Sequence, residues 1–468
     1  MNGYILDSIK NSLEGSFDVK FRELAIESNK VNLIYIDDLT DSKYISEYIV
    51  EPILRNRNIS KSNEIINSVL NACTIGDISD DKDAIAHILV GDVVILFENS
   101  SRALFVDAKG FVRRGIGVPV TEASLKGPQE GFNEVLLDNI SLIRRKIHNE
   151  NLKFENMIVG KQTNTNVTIC YLNGTTPDKL VNYIREKINN LDINFILDIN
   201  YIEEEFENRN TSFSTLGYSE KPDVISSKIL EGKIAIIVDG SASVLYAPFF
   251  FIENFQVSDD YYSNRVTANI TRCQRLLALF LAVFTPGLYI ALTTHHFALI
   301  PTKFVFRLSS SRVGVPFPTF VEVILMLGFF QLLREAGVRL PQPTGQALSI
   351  VGALILGDAA VGAGLASQST IVVVSISSIA TFLIPNLYIS VMLWSVLMVI
   401  LASFMGLPGF YFGFFILIQH LSSLDSCGYP YLFPLGTLSS FSMKDLLMRR
   451  DLKEISNSIF EKDDQGEA

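Results

Sequence analysis

Charge is distributed so unevenly along this chain that its parts cannot share one solvent. Residues 271–440 carry 7 Lys or Arg and 4 Asp or Glu in 170 positions, whereas residues 1–270 carry 27 and 39. Burying charge in hydrocarbon is costly, and about 20 apolar residues are enough to cross a bilayer. The sequence therefore predicts a soluble part, a membrane part and a short charged tail.

The soluble part alternates strand-like and helix-like segments, which is typical of α/β structure. Strands are predicted at 31–36, 92–98, 102–108, 166–172, 194–199, 233–240 and 243–251, the second and third forming a hairpin. Helices are predicted at 43–54, 177–191 and 221–231, and a longer one opens at Gly127-Pro128 with a buried stripe of Phe132, Leu136, Ile140, Ile143 and Ile147.

Length and composition divide the chain further. At roughly 100–200 residues per domain we expect two cytoplasmic α/β subdomains at 1–155 and 156–270. A helical, multispanning transmembrane domain follows at 271–440, and a charged cytoplasmic tail at 441–468. The first 25 residues contain no apolar signal-peptide core, so we expect the N-terminal part to stay in the cytoplasm.

Several functional classes are disfavoured by composition and motifs. The soluble part has a net charge of −12 and would repel phosphate, so no nucleic-acid partner is expected. The four cysteines lie far apart and suggest neither a disulfide scaffold nor a zinc site. Val159–Thr163 resembles a phosphate loop only faintly, because Glu155 stands where its first glycine should be. With no catalytic motif recognisable, we expect a protein without enzymatic activity, metal or cofactor.

The apolar half contains several candidate spans. Leu276–Ala298 is uncharged and follows Arg272 and Arg275, whose charge keeps the preceding part on the cytoplasmic side. Thr344–Leu365 is a second span. Ser369–Leu424 is long enough for two or three crossings, with breaks near Pro385 and at Gly406–Gly409.

The number of crossings stays open at four or six. Thr319–Leu333 is short and contains Glu322, so it is re-entrant, interfacial or a short span. The basic tail predicts a cytoplasmic C-terminus and therefore an even number of crossings. A loop with Lys303, Arg307 and Arg312 but no acid would face outward in the simplest layout, against the positive-inside rule.

Polar and small residues inside the spans are the candidate functional positions. Asp358 and Glu322 are carboxylates in apolar segments, candidates for cation contact or gating, or else structural acids. Thr370, Ser377 and Thr381 could line a polar helix face or bond within their own helix. Small residues recur every four positions and permit close packing, within one chain or between copies; these are Gly345, Ser349, Ala353 and Gly357.

Long sequence blocks resemble the A subunits of GerA-type spore germination receptors. The soluble blocks are Lys126–Phe132, Asn139–Lys146, Lys221–Asp223, Ser227–Lys233 and Val238–Gly240. The blocks in the apolar half are Tyr289–Thr294, Gly314–Pro318, Arg334–Pro341 and Ser349–Leu354. The resemblance runs from about residue 30 to 450, and departs from the family pattern at Gln129, where Arg is usual.

The resemblance implies a function that composition alone does not. It implies an A subunit in the inner membrane of a bacterial endospore, working with a nutrient-binding, multispanning B subunit and a lipoprotein C subunit. It also implies a homo-oligomeric ring, a pentamer, whose lipid-embedded parts form or gate a monovalent cation channel. Two alternatives remain: an auxiliary channel like stage V sporulation protein AF, which shares the architecture, and a structural scaffold for the receptor.

Overall fold

The structure is a computed structural model that describes residues 2–26, 29–55, 74–97, 103–110, 122, 126–207, 211–340, 352, 355–435, 445 and 448–451. In these residues two mixed layers of sheet and helix come first, and a bundle of long apolar helices follows. The predicted α/β character of the N-terminal part is confirmed, although every described strand pairing in the two large sheets is antiparallel.

The first sheet has the strand order β1-β2-β4-β5-β3. Its strands are β1 Val19–Ile26, β2 Asn29–Ile36, β3 Ile75–Asp77, β4 Asp92–Phe97 and β5 Ala103–Asp107. Helices α1 Asn2–Leu13 and α4 Asp81–Val90 cover one face. The other face packs against α2 Ser42–Tyr44, the π-helical turn Ile45–Val50 and α3 Glu51–Arg55.

Coverage of both faces explains why β4 is apolar at almost every position. Val94 and Leu96 face α1 and α4, whereas Val93 and Ile95 face the helical segment 42–55. A strand buried on both sides shows a continuous apolar run in place of alternation. The predicted hairpin of β4 and β5 is confirmed, with Val94 opposite Phe105.

The second sheet has the strand order β6-β7-β9-β10-β8. Its strands are β6 Leu152–Val159, β7 Thr165–Leu172, β8 Gly217–Ser219, β9 Ile234–Val238 and β10 Val244–Ala247. Helices α5 Leu136–Arg144 and α8 Pro222–Leu230 lie on one face, and α6 Asp178–Asn189 and α7 Asn200–Phe206 on the other. Helix α5 precedes residue 155 yet packs on this sheet, and the division of subdomains there stays a prediction.

Two predicted elements of the soluble part are wrong. Segment 194–199 is not a strand. Its backbone hydrogen-bonds to the turn between β6 and β7 and not to a neighbouring strand: Gln162 N–H donates to the Asn194 carbonyl over 2.7 Å. Val159–Thr163 is consequently part of a hairpin and opens no helix. The helix predicted from Gly127 begins only at Leu136, since Gly127 has a left-handed φ of 112° and the Asn133 side chain accepts from Val135 N–H in a local turn. The predicted buried stripe of this segment is nevertheless buried.

The apolar half is built from long helices. After the short α9 Asp259–Tyr262 come α10 Arg265–Ile290, α11 Thr302–Ser311, α12 Thr319–Arg339, α13 Gln368–Phe382, α14 Tyr388–Met405 and α15 Leu407–Ser423. Two helices in the described ranges, Arg265–His295 and Pro385–Met405, are long and apolar enough to cross a membrane. The predicted breaks at Pro385 and Gly406 are confirmed.

Contacts between these helices define two ends of the bundle. At the domain end, Ser390 donates to the Ser212 carbonyl and His420 contacts Thr211 of the soluble part. At the far end, His295 bonds to the Ser403 carbonyl over 2.8 Å and lies beside Gly406. Helices α10 and α14 therefore run toward the far end, and α15 returns to the domain end.

Helices α12 and α13 both run toward the domain end. Glu322 and Thr370 meet near their first turns, and Arg334 and Thr381 meet near their last turns. Two neighbouring parallel helices require the connecting chain to travel back between them. Of the predicted span Thr344–Leu365, residues 352 and 355–362 are described as helical.

Candidate functional site

Glu322 is the centre of a polar cluster inside the far end of the bundle. It lies in the first turn of α12 and its side chain is completely buried. One carboxylate oxygen, Oε2, accepts from the backbone N–H of Ser367 and the hydroxyl of Thr370, both over 2.9 Å. Ser367 precedes α13, so the carboxylate lies at the positive N-terminal pole of that helix.

Arg312 neutralises this carboxylate. Its Nη2 lies 3.3 Å from Glu322 Oε1, and the Arg312 side chain keeps about a third of its surface exposed. A buried charge is tolerated when it is paired and hydrogen-bonded. Glu322, proposed from the sequence as a pore or gating residue, thus joins α12, α13 and the end of α11 within one chain.

Hydroxyl groups extend the cluster to α10 and further along α11. Ser367 Oγ lies 2.9 Å from Thr370 Oγ1 and 3.1 Å from Ser369 Oγ. Ser369 reaches the hydroxyls of Ser311 and Tyr289 over 3.2 and 3.1 Å. Because each hydroxyl both donates and accepts, one connected network links α10, α11, α12 and α13 at the far end.

The three polar residues predicted on one face of α13 have three different partners. Thr370 belongs to the Glu322 cluster, and buried Ser377 donates to the Ala282 carbonyl of α10 over 2.8 Å. Thr381 accepts from Arg334 Nη1 over 2.9 Å and also donates to Ser378. The α13 face therefore packs against α10 and α12 in the single chain, and its role in a pore stays a prediction.

Arg334 forms a second polar centre near the domain end. Its guanidinium lies 3.5 Å from the ring centre of Tyr388, within cation–π distance, and Tyr388 donates to Gln331. A cavity of about 70 Å³ lies beside these side chains. In the sequence Arg334 stands out only as part of a family block, because a single arginine in an apolar helix gives no indication of its partner.

Asp358 differs from Glu322 in its surroundings. It lies in the helical segment 355–362 and is exposed, as are Ile355, Ala359 and Gly362, which share its side of the helix at spacings of three and four. No described residue pairs with its carboxylate. The structure therefore leaves Asp358 without a neutralising group among the described residues, unlike Glu322.

Only part of the predicted small-residue stripe can be located. Gly345, Ser349 and Ala353 lie outside the described residues. A Cβ at Gly357 would lie 4.0 Å from Ile371 of α13, and one at Gly352 would lie 2.8 Å from Leu333 of α12. These two glycines face helices of the same chain, and packing between copies stays a prediction.

A buried ion cluster joins the soluble part to α10. Asp260 accepts from Arg272 Nε over 3.0 Å and from Arg275 Nη1 over 2.7 Å, and Arg272 also contacts Asp445 of the tail over 2.6 Å. Burial raises the pKa of Asp260, but the hydrogen bonds and positive charge of Arg275 and Arg272 outweigh it and lower the pKa below its ordinary value. The arginines that flank the predicted first span thus fasten it to the soluble part and the tail.

The family block at 221–233 supplies a second set of buried charges. Lys228 lies 3.3 Å from Glu253 Oε1, and fully buried Lys233 donates to the same oxygen. Burial lowers the pKa of Lys233 to about 8, against the raising effect of Glu253.

Among the described residues no group of His, Cys, Asp and Glu is arranged to hold a metal ion. Glu203 belongs to a cluster of four acids in sequence, Glu203, Glu204, Glu205 and Glu207. Burial first, then the charges of Glu207 and Asp198, raise the pKa of Glu203 to about 7.

Two sheet-and-helix layers followed by an apolar helical bundle define a class of protein with a soluble part attached to a part suited to a membrane. Comparison with known proteins then identifies the family. The model of the Bacillus/Clostridium GerA spore germination protein family matches residues 7–458. The chain belongs to this family, as the sequence blocks indicated.

Individual relatives match over most of their length. Spore germination protein KA of Bacillus subtilis strain 168 is 37% identical over 449 residues, covering 94% of this chain and 82% of that one. The uncharacterized membrane protein YfkQ of the same strain is 34% identical, covering 95% and 88%. A solved structure also matches, the crystal structure of the N-terminal domain of the A subunit of the Bacillus megaterium spore germinant receptor GerK3. Its sequence is 26% identical, and the match covers 53% of this chain and 94% of that domain with a TM-score of 0.42.

Proposed function

We propose that this chain is the A subunit of a spore germinant receptor, embedded in the inner membrane of the endospore with its soluble part in the cytoplasm. Copies of the chain assemble as a ring, a pentamer, that forms or gates a path for monovalent cations. A B subunit holds the nutrient and a lipoprotein C subunit completes the receptor. Membership of the GerA family and the names of its relatives support the receptor role.

The helix directions support six crossings. Helices α10 and α14 run toward the far end, and α12, α13 and α15 run back, as judged from the contacts at Glu322, Arg334, His295 and His420. A sixth crossing that includes the helical segment 355–362 would connect α12 to α13. The contact of Asp445 with Arg272 keeps the tail at the domain end, in agreement with an even number.

The observation that carries the channel proposal is the exposed carboxylate of Asp358. A carboxylate facing lipid costs at least about 2.5 kcal/mol at the middle of a span. Glu322 avoids this cost because Arg312 and hydroxyl groups surround it, whereas Asp358 has no such partner among the described residues. A second copy of the chain, or water in a path between copies, would provide the polar surroundings.

The site residues then separate into two roles. Asp358 contacts the cation path, while Glu322 and Thr370 hold the far ends of α12 and α13 in register. Ser377 and Thr381 fix α13 against α10 and α12. A movement of α13 relative to these neighbours is the step by which a signal from the nutrient-binding partner would open the path.

Cation flux through liposomes tests this proposal. The purified full-length chain is reconstituted alone, and release of trapped K⁺ is compared with that of Asp358→Asn. We expect wild-type flux well above that of empty liposomes and at least roughly tenfold lower flux for Asp358→Asn, because the variant removes the cation-attracting charge.

Asp425→Asn is the matched control. It removes an exposed carboxylate from the short hairpin after α15, in which Asp425–Ser426 pairs with Tyr429–Pro430 at the domain end. Its flux should equal that of the wild type. If the wild-type chain inserts into liposomes but passes no K⁺, it is a scaffold whose partner conducts the ions. Equal flux for the wild type and Asp358→Asn would remove Asp358 from the path.

A further inference from the structure

Helix α11 is only partly covered by the rest of the described chain. It connects α10 to α12 at the far end, and none of its ten residues is buried. Phe304 and Phe306 are largely exposed, Phe306 by 72%. Val313, directly after the helix, is 81% exposed. Large apolar side chains on a helix without protein cover indicate that something else covers them.

The two sides of α11 have different chemistry. At 100° per residue, Val305, Leu308 and Arg312 lie on one side, and the half-buried Val305 and Leu308 face the bundle as Arg312 does. Lys303 and Arg307 lie on the opposite side and are exposed. Phe304 and Phe306 are two positions apart and lie on opposite flanks of the helix, so apolar side chains border the basic side on both flanks.

Every charged side chain between residues 261 and 321 is basic, since no Asp or Glu occurs there. Arg312 is neutralised by Glu322, whereas Lys303 and Arg307 have no ion-pair partner among the described residues. Two cations without an ion-pair partner, beside exposed phenylalanines, are complementary to a bilayer whose headgroups are negatively charged and whose interior is apolar.

We propose that α11 is an interfacial helix that binds anionic phospholipid headgroups of the far leaflet through Lys303 and Arg307. Phe304 and Phe306 enter the acyl region beside them. An amphipathic helix with cations on its polar side binds membranes in this way, by apolar burial and attraction to anionic lipid. This rests on the proposed membrane embedding of the bundle, and it accounts for the outward-facing cations that contradict the positive-inside rule.

Lipid binding by α11 has a consequence for the Glu322 cluster. Arg312 and Ser311, at the end of α11, contact Glu322 and Ser369 over 3.3 and 3.2 Å. Lipid binding to Lys303 and Arg307 therefore fixes the segment that holds the far ends of α12 and α13. The helix couples the charge of the far leaflet to the bundle.

Retention of lipid by the full-length chain tests this inference. The chain is incorporated into nanodiscs containing equal amounts of phosphatidylglycerol and phosphatidylcholine, extracted, and the retained lipids are counted by native mass spectrometry. We expect the wild type to retain phosphatidylglycerol in preference to phosphatidylcholine. Lys303→Gln/Arg307→Gln should lower the ratio of the two lipids at least roughly threefold, since it removes both cations that attract the anionic headgroup. Lys82→Gln/Lys179→Gln, which removes two exposed lysines from the soluble part, should leave the ratio unchanged.

A second measurement locates the apolar side chains. A spin label on Phe306→Cys, in a Cys73→Ser/Cys273→Ser background that keeps only the buried native thiols of Cys170 and Cys427, should be more accessible to oxygen than to a water-soluble nickel complex. Equal retention of both lipids by the wild type, or an unchanged ratio in the double variant, would overturn the inference. So would disulfide cross-linking of the Phe306→Cys chain between copies, which would identify the face as a subunit contact. Insertion into nanodiscs in all these cases would leave the proposed membrane embedding intact.

Discussion

Asp18 and Asp38 lie close together where the two sheet layers meet, but their hydrogen-bond partners differ. Asp18 accepts from Arg144 Nε and Nη2 over 3.0 and 3.2 Å, and both side chains are fully buried. Asp38 makes no such ion pair, although the charges of Lys20 and Arg144 lie near enough to lower its pKa slightly, and its Oδ2 is buried without a hydrogen bond in the described structure. Burial first, and then the charges of Asp18 and Asp37, raise its pKa to about 7.

The raised pKa predicts that Asp38 destabilises the soluble part at neutral and alkaline pH. Between about pH 4 and 7 the folded chain keeps a proton that the unfolded chain has lost. The free energy of unfolding therefore falls as pH rises through this range, and the loss is complete above about pH 7. Asp38→Asn cannot ionise and should be more stable than the wild type at pH 8, by up to about 4 kcal/mol, with little difference at about pH 4.

This difference is measured by urea unfolding of the full-length chain in detergent at both pH values. Hydrogen exchange of β1 and β2 monitors the unfolding. Asp7→Asn, on the exposed side of α1, is the control and should change stability at neither pH. An Asp38→Asn chain that is less stable than the wild type at alkaline pH would mean that the ionised carboxylate has a favourable partner.

The Glu322–Arg312 pair gives a second prediction for single residues. Glu322→Gln keeps the size of the side chain but leaves Arg312 without its counter-charge, and breaking a buried pair costs roughly 3–5 kcal/mol. We expect a loss near the lower end, since Arg312 is partly exposed. Arg312→Gln in the same chain should recover part of the loss.

Unfolding by sodium dodecyl sulfate, followed by circular dichroism, measures these changes. Glu335→Gln disrupts an exposed pair with Arg339 on the same helix and should cost less than about 1 kcal/mol. If Glu322→Gln were equally mild, the cluster would not hold the far ends of α12 and α13 together.

Glycines determine how closely the long helices pack. A Cβ at Gly287 of α10 would lie 3.1 Å from Met398 Cβ of α14, and one at Gly413 of α15 would lie 2.7 Å from Met398 Sδ. Helices approach closely where a glycine leaves room for the neighbouring side chain. Met398 is completely buried between the two glycines and marks the centre of the bundle.

Enlarging one of these glycines should separate the helices. Gly413→Leu should destabilise the bundle by about 1–3 kcal/mol, since overpacking forces side chains and backbone to shift. Gly328→Ala is the control in α12, where a Cβ would meet nothing within 4 Å. The same detergent titration measures both, and an unchanged Gly413→Leu chain would show that α14 and α15 do not require close contact.

Most elements could be predicted from the sequence because their apolar patterns are local. The β4–β5 hairpin, the helices near 178–189 and 222–230 and the breaks at Pro385 and Gly406 follow from periodicity, turn residues and proline. Strand β6 was missed since LKFENMIV mixes polar and apolar residues at the edge of its sheet. Segment 194–199 has a strand-like composition, but tertiary contacts with the β6–β7 turn determine its conformation.

The polar cluster shows the limit of that reasoning. Glu322 and Thr370 were recognised as polar residues in apolar segments, but their contact spans 48 positions and no local pattern reveals it. Arg312 was assigned only to an outward loop, although it neutralises Glu322. Partners of buried charges depend on which helices become neighbours, and that is decided by the packing of the whole bundle.

At the scale of the whole molecule, ion pairs connect parts that are distant in sequence. Asp18–Arg144 joins the two sheet layers, and Asp260 with Arg272 and Asp445 joins the soluble part to α10 and the tail. A change in the soluble part would therefore reach the first long helix through a buried contact. This arrangement suits a receptor subunit in which nutrient binding elsewhere must be transmitted to a bundle.

The central claim is that copies of this chain assemble in a membrane around Asp358. An image of the full-length chain in nanodiscs, at a resolution that separates helices, tests it most directly. We expect a closed ring of five copies with the helical segment 355–362 of each copy directed toward the central axis and the sheet layers on one side of the bilayer. A monomer with Asp358 directed at lipid, or a ring with that segment on its outer rim, would contradict the claim.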